Sequence, residues 1–229
     1  MDPRPSEIKE SLKPIDEEER LSFGPYRLLL KNGLFIEDER TGFIQKVYDE
    51  GGVLLKGEES KEEALFYMLK PSKDEVIVLS FFYPYEGKGG IRLDSYSIKL
   101  PFKLSEGFKA SAKGKELLIA DRGEYLLYVL PKDMYRGKVG KALKVKALGK
   151  RRGFIITDKG IYIVSNGKRA FIDNKRLPDE AGKALYYGII RDNYLIIGWK
   201  DKALIVSLEG SNQFSFGIFE LRPFDRLME

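Results

Sequence analysis

The sequence contains no cysteine and no histidine. Without cysteine there are no disulfides, thiolate nucleophiles, iron–sulfur ligands or structural zinc sites of the usual kinds. Without histidine the commonest general base and the commonest transition-metal ligand are gone, and mechanisms of the Ser-His-Asp or Cys-His type with them. No run of about 18 apolar residues occurs, so no hydrophobic helix spans a bilayer. The polar start, Met1-Asp2-Pro3-Arg4-Pro5-Ser6-Glu7, lacks the apolar stretch of a secretory signal. Cytoplasmic residence is the default expectation. Carboxylates and carbonyls still permit hard-cation sites, but no motif for one is evident, and neither a cofactor nor a metal is expected.

Asparagine and glutamine are sparse, whereas charged residues make up 33% of the chain, dominated by Lys and Glu. Avoidance of thermolabile side chains together with enrichment in ion-pairing ones is the composition of a hyperthermophile's protein. The net charge of +5 is unevenly placed. Residues 1–22 are acidic on balance, with the block Asp16-Glu17-Glu18-Glu19, and residues 132–152 are dense in Lys and Arg, with Asp133 the only acid. Such asymmetry marks either a solvated face or a surface for an acidic partner.

What the chain does contain is a repeated pattern: an apolar run, a tight polar turn, and a second run of β-forming residues. Copies occupy residues 26–36, 117–129, 154–164 and 194–206, and a looser one spans Glu75–Phe81 and Ile91–Leu100 around a long loop. They start roughly 40 residues apart, a spacing typical of repeat architectures. Asn32-Gly33 is a strong two-residue hairpin signal, and Asp121-Arg122-Gly123 and Asp158-Lys159-Gly160 fit slightly longer loops with glycine in the left-handed position. The aspartates of these turns are expected to accept hydrogen bonds from backbone two residues on. Further β runs flank each hairpin, at Gly42–Tyr48, Phe108–Ala112, Leu143–Leu148, Lys168–Asp173, Ala184–Ile190 and Gln213–Phe219. The segments Leu117–Ala120, Phe154–Ile156 and Tyr194–Ile197 are apolar at every position, as in strands buried on both faces.

Two segments stand apart. Residues 1–20, interrupted by Pro3, Pro5 and Pro14, read as an arm outside the core, with Ser6 placed to cap a short helix that carries Ile8 and Leu12 on one face. Ser60-Lys61-Glu62-Glu63 matches a helix capping box, yet Ala64–Lys70 also reads as the first strand of the second unit, with Glu58–Glu63 an inserted turn. The strand is the preferred assignment.

The stretches Ile156–Val164 and Ile119–Tyr128, with an acidic-x-Gly turn before an apolar-Tyr pair, resemble the central hairpin of β-propeller blades. The likeness covers about four hairpins and is one of fold only, since the Trp-Asp signature of WD40 blades and the double glycine of kelch blades are absent. It implies an all-β, five-unit β-propeller-like domain of four-stranded antiparallel sheets over residues 21–221, with an N-terminal arm at 1–20 and a C-terminal tail at 222–229. A β-sandwich or barrel is the alternative.

Function is weakly encoded. The carboxylates open to glycosidase chemistry are Asp94, Asp121, Asp158 and Asp201, but three of them sit in turns, where Asp serves local structure. The glycine-rich Gly87-Lys88-Gly89-Gly90 lacks the spacing of a phosphate-binding loop. Two surfaces remain. One is the aromatic run ending in Tyr83 and Tyr85 with Lys88 beyond it. The other is the basic strip of Lys144, Lys146, Lys150, Arg151 and Arg152. The expectation is a non-enzymatic protein-interaction module that anchors a partner on the aromatic loop and steers it with the basic strip. Nucleic-acid association through the strip and carboxylate glycosidase activity are the alternatives; no membrane partner is expected, and the oligomeric state is open.

Overall fold

The computed structural model describes residues 3–17, 20–83, 90–209 and 215–220. The described chain begins with helix α1 (Pro5–Ser11) and the short strand β1 (Lys13–Pro14), after which everything of length is β. Four strands follow in the first sheet: β2 (Ser22–Phe23), β3 (Tyr26–Leu30), β4 (Leu34–Asp38) and β5 (Ile44–Tyr48). The second holds β6 (Val53–Glu59), β7 (Glu63–Leu69), β8 (Glu75–Phe82) and β9 (Arg92–Lys99). The third holds β10 (Lys109–Lys113), β11 (Glu116–Asp121), β12 (Glu124–Val129) and β13 (Asp133–Lys138). The fourth holds β14 (Ala142–Gly149), β15 (Arg152–Thr157), β16 (Gly160–Ser165) and β17 (Lys168–Asp173). The fifth holds β18 (Tyr186–Ile190), β19 (Tyr194–Gly198), β20 (Lys202–Ser207) and β21 (Ser215–Glu220), with β1 added beside β18. Each sheet is an antiparallel meander in chain order.

The second strand of a sheet shows why the sheets stack. All of Ala64–Leu69 in β7 is buried, and alternate residues face opposite ways. Ala64, Phe66 and Met68 join a cluster with Phe23, Leu28, Leu34 and Ile36 of the first sheet. Leu65, Tyr67 and Leu69 join Leu117, Ile119 and Leu126 of the third. In β11, Leu118 and Ala120 turn instead to Val145, Ala147 and Ile155 of the fourth sheet, while Phe154 and Ile156 of β15 meet Leu195, Ile197 and Leu204 of the fifth. At about 1.5–3 kcal/mol for each large side chain fully buried, these joints hold the array together. The runs that are apolar at every position are therefore middle strands shared between two joints, as their sequence requires.

Ile196 breaks this pattern. Its face of β19 meets Ile190, Ala203 and Ile8 of α1, with Leu12 alongside. Among the described residues no buried apolar cluster contains both the first and the fifth sheet. The N-terminal segment covers the fifth sheet where another sheet would otherwise lie. Ile8 is fully buried and Ile15 nearly so, which corrects the expectation of an arm outside the core: two isolated apolar residues in a polar context carry the anchoring. Nor does Ser6 cap α1; Arg4 occupies the N-cap and its side chain caps no backbone N–H.

Local corrections have similar causes. Residues 63–69 are a strand as preferred, but the second of their sheet, because Val53–Glu59 precedes them as the first. The capping-box serine serves a hairpin instead: Ser60 N–H donates to Glu63 O, and the Ser60 hydroxyl oxygen accepts from Glu62 N–H. The Asn32-Gly33 turn spans three residues between the pair Leu30↔Leu34, with φ of +52° and +149° at those two positions. At Arg122-Gly123 the loop is the tight two-residue kind, with both φ positive. The turn aspartates do not serve their own turns: Thr157 Oγ1 accepts from Lys159 and Gly160 N–H, while Asp121 accepts from Ser105 N–H at 2.8 Å in the connection before the third sheet.

Candidate functional site: the channel and its basic rim

The first strands of the sheets converge on one axis. Gly114 N–H donates to Gly57 O at 2.6 Å, linking the third sheet to the second, and Ala147 N–H donates to Ser111 Oγ at 2.9 Å, linking the fourth to the third. Between these strands lies a cavity of about 700 Å³ lined from β6, β10, β14 and β18 and by Glu17, Arg20 and Leu21 ahead of β2. Its lining mixes apolar residues such as Leu54, Leu55 and Val145 with the polar Glu17, Arg20, Ser111, Lys113 and Lys146. Lys146 Nζ stands 5.4 Å from the centroid of the Tyr187 ring.

First and third strands of a meander run the same way, so the turns that leave them open at one end of the array. Gly114-Lys115, Lys150-Arg151 and Arg191–Asn193 follow first strands; Leu130–Lys132 and the segment starting at Tyr83 follow third strands. Tyr83 of the aromatic run thus stands at the same end as Lys150 and Arg151 of the basic strip. Tyr83 is half-buried against Phe23 and Tyr26, at centroid distances of 5.6 and 6.4 Å, and its hydroxyl donates to Ser60 O. Its neighbour Phe81 is fully buried and stacks on Phe23 at 4.9 Å. Tyr85 and Lys88 lie outside the described residues.

The basic strip is woven into the fold. Arg152 is 8% exposed; its Nη2 meets Asp192 Oδ1 at 3.0 Å, its Nη1 donates to Asp192 O, and its Nε donates to Gly149 O at 3.1 Å. Burial pushes the pKa of this guanidinium down, with the charge of Glu116 opposing. Lys150 pairs with the other oxygen of Asp192, so one carboxylate in the β18–β19 turn ties down two cations of the fourth sheet. Arg151 Nη2 reaches Asp133 Oδ2 at 3.0 Å and its backbone N–H donates to Glu116 Oε1 at 2.6 Å, binding the fourth sheet to the third. Lys144 Nζ holds Asp16 at 2.9 Å and donates to Ala184 O at 3.2 Å. Lys144 and Lys146 thus lie by the axis and the other three at the rim.

Sequence reasoning missed the partners. Asp192 and Arg191 both take positive φ in their turn, and a polar Arg-Asp-Asn turn was the available signal. Lys113, Lys115 and Lys132 are exposed on the same rim and form no ion pair among the described residues. Lys-Ala-Ser-Ala-Lys at 109–113, a strand of small residues between cations, was the trace of a channel wall.

The four carboxylates weighed for glycosidase chemistry are dispersed. Asp94 lies in β9, Asp121 ends β11, and Asp158 and Asp201 sit in turns of the fourth and fifth sheets. None lines the cavity, where Glu17 is the single acid among the described residues. Among the described residues no group of three or more carboxylates could hold a metal ion, and no helix is long and apolar enough to cross a membrane.

No protein-family model and no curated protein sequence matches the chain. Among solved structures it is similar to the CNH domain of AfRom2, at 10% identity over 86% of this chain and 67% of that one, with a TM-score of 0.45. It is also similar to the WD40 domain of SCAP from fission yeast, at 13% identity over 87% of this chain and 62% of that one, with a TM-score of 0.49. Hsv2p of Kluyveromyces lactis is a third, at 10% identity, 86% and 82% coverage, and a TM-score of 0.38. The chain spans less than two thirds of the SCAP domain. These likenesses concern fold alone. The architecture itself rests on this chain's own sheets: five antiparallel meanders, stacked face to face with their first strands around one channel, make it a β-propeller-like protein of five blades.

Proposed function

We propose that this protein is a non-enzymatic interaction module that presents the basic rim of its propeller to an acidic protein partner. The observation that carries this reading is the common rim. The turn bearing Lys150 and Arg151 and the segment that starts at Tyr83 leave the array at the same end, beside the exposed Lys115 and Lys132. Blade faces are spent on their neighbours, so the rim and channel mouth are what a partner can reach. Ion pairing through Asp192 and Asp133 fixes the turn that carries the strip, and a fixed surface loses less entropy on binding. Arg152, bonded to Gly149 O and to Asp192, braces that turn from beneath. Dispersal of Asp94, Asp121, Asp158 and Asp201 over four sheets supports the absence of a hydrolytic pair.

The test is association kinetics with a partner captured from the native organism's extract in the presence of nuclease. The double variant Tyr83→Ala/Tyr85→Ala should weaken binding at every salt concentration. Lys115→Glu/Lys132→Glu should slow association, with the defect shrinking as salt rises. Capture that disappears on nuclease treatment, or binding indifferent to both variants, defeats the reading. A heat-adapted source belongs to the same proposal, supported by the Lys- and Glu-rich composition and the linked pairs around Asp192; the purified protein should then melt above about 90 °C.

A further inference from the structure

We propose that the outward face of the first sheet is a self-association surface, on which a second copy of this chain docks about a two-fold axis. This is separate from the protein-partner reading, which concerns the rim.

Alternation along the strands sorts the first sheet into two faces. Leu28, Leu34 and Ile36 point toward the second sheet and are buried with it. The residues between them, Arg27 and Leu29 in β3 and Phe35 and Glu37 in β4, point the other way. Ile44 and Lys46 of β5 continue this outward face, because they pair with Glu37 and Phe35. Arg27 and Lys46 are exposed, and Ile44 is 51% exposed. Among the described residues, Leu29 and Phe35 join no buried apolar cluster. In a closed ring of blades the fifth sheet would cover this face. The matching face of the fifth sheet is taken by Ile8 of α1 instead, and α1 turns Ser6 and Glu10 to solvent. The other blade faces are buried on a neighbour or under α1; this one is the exception.

The pattern of the face selects a copy of itself. Arg27 lies across from Glu37, and Leu29 across from Phe35, on adjacent strands. A two-fold axis running along the strands, midway between β3 and β4, exchanges the members of each pair. It sets Arg27 against Glu37 of the partner subunit and Leu29 against Phe35 of the partner subunit, the isologous geometry of a closed dimer. Sheets packed face to face stand about 10 Å apart, a gap that apolar side chains fill from both sides and that Arg and Glu span together. Arg27 and Glu37 cancel in charge. Two chains of net charge +5 can therefore approach here without the repulsion that their basic rims would impose. An acidic partner, which the rim suits, finds no excess of cations between these two pairs. Three strands make a face smaller than that of a permanent dimer, so association is reversible and concentration-dependent.

The test is sedimentation of the full chain from about 1 to 500 μM, a span suited to a small, reversible interface. A monomer–dimer equilibrium is expected, and Phe35→Asp should abolish the dimer. Arg27→Glu sets like charges against Glu37 of the partner subunit, and Glu37→Arg does the same with the opposite sign. Each should weaken self-association by about tenfold. Mixed in equal amounts, the two single variants should form a heterodimer as readily as the parent protein pairs with itself, since each then meets its opposite. The double variant Arg27→Glu/Glu37→Arg should regain the parent affinity. Rescue of this kind separates docking from misfolding, because a misfolded variant gains nothing from its counterpart. A chain that stays monomeric throughout the range leaves the face to a different protein and overturns the proposal. Assemblies larger than dimers, or a dimer indifferent to these variants, place the contact elsewhere and overturn it equally.

Discussion

The carbonyl oxygen of Ser11 lies 2.5 Å from the point where a Cβ on Gly188 would stand. The backbone of the N-terminal segment passes so close to β18 that only glycine permits it. Beyond it, Lys13 and Pro14 pair with Tyr187 and Tyr186, and Ile15 N–H donates to Leu185 O at 2.9 Å. Gly188→Ala should therefore cost about 1–3 kcal/mol, the usual range for overpacking. Its signature is local: hydrogen exchange at the amide of Ile15 should accelerate more than exchange in the third sheet. Uniform exchange across the molecule would mean that the segment is not seated as described.

Acid should loosen the same segment. The Glu7 carboxylate accepts hydrogen bonds from Arg191 at 2.8 Å and from Arg4 at 3.2 Å. The Arg191 bond, foremost, holds its pKa below the ordinary 4.5. A folded-state pKa below the unfolded one contributes stability that is present above the unfolded value and lost as pH falls through the folded one. Protection of the α1 amides should thus fall as pH drops below 4.5. In Glu7→Gln it should be lower at neutral pH and nearly flat across that interval. A variant with the same acid profile as the parent protein would assign the effect to other carboxylates.

Tyr125 sits opposite Gly137 in the third sheet, and a Cβ on that glycine would meet the tyrosine ring at 2.6 Å. The ring fills the space that the glycine leaves, while its buried hydroxyl has no hydrogen-bond partner among the described residues. Tyr125→Phe keeps the ring and deletes the unsatisfied oxygen, so it should be neutral or stabilising by up to about 1 kcal/mol. Gly137→Ala should destabilise by about 1–3 kcal/mol. Chemical denaturation of the two variants decides this; a clear loss of stability in Tyr125→Phe would reveal a partner for the hydroxyl.

The legible parts of the fold were those written locally. A strand such as Phe154-Ile155-Ile156, buried on both faces, announces itself through consecutive apolar residues, and Gly33, Gly123 and Gly160 mark hairpins between second and third strands in three different sheets. First strands were harder. Val53–Glu59 buries only Leu54 and is exposed at both ends, at Val53 and at Glu58–Glu59, and its mixed composition hid it. The contacts that turn the basic strip into structure were not legible. Arg152 and Asp192 are 40 residues apart, and no local pattern links a cation in one hairpin to a carboxylate in another. The seating of Ile8 in the fifth sheet has the same cause at greater range.

That seating also orders events during synthesis. Residues 5–15 leave the ribosome well before residues 186–220, yet they supply one strand of the sheet those residues build. The first four sheets can assemble as they emerge, each on its predecessor. The opening helix cannot: its apolar residues have no docking place until the final sheet exists. The contact between them is the longest loop to close and the last to form, so it couples both ends of the described chain and withholds completion from any nascent chain that stops short.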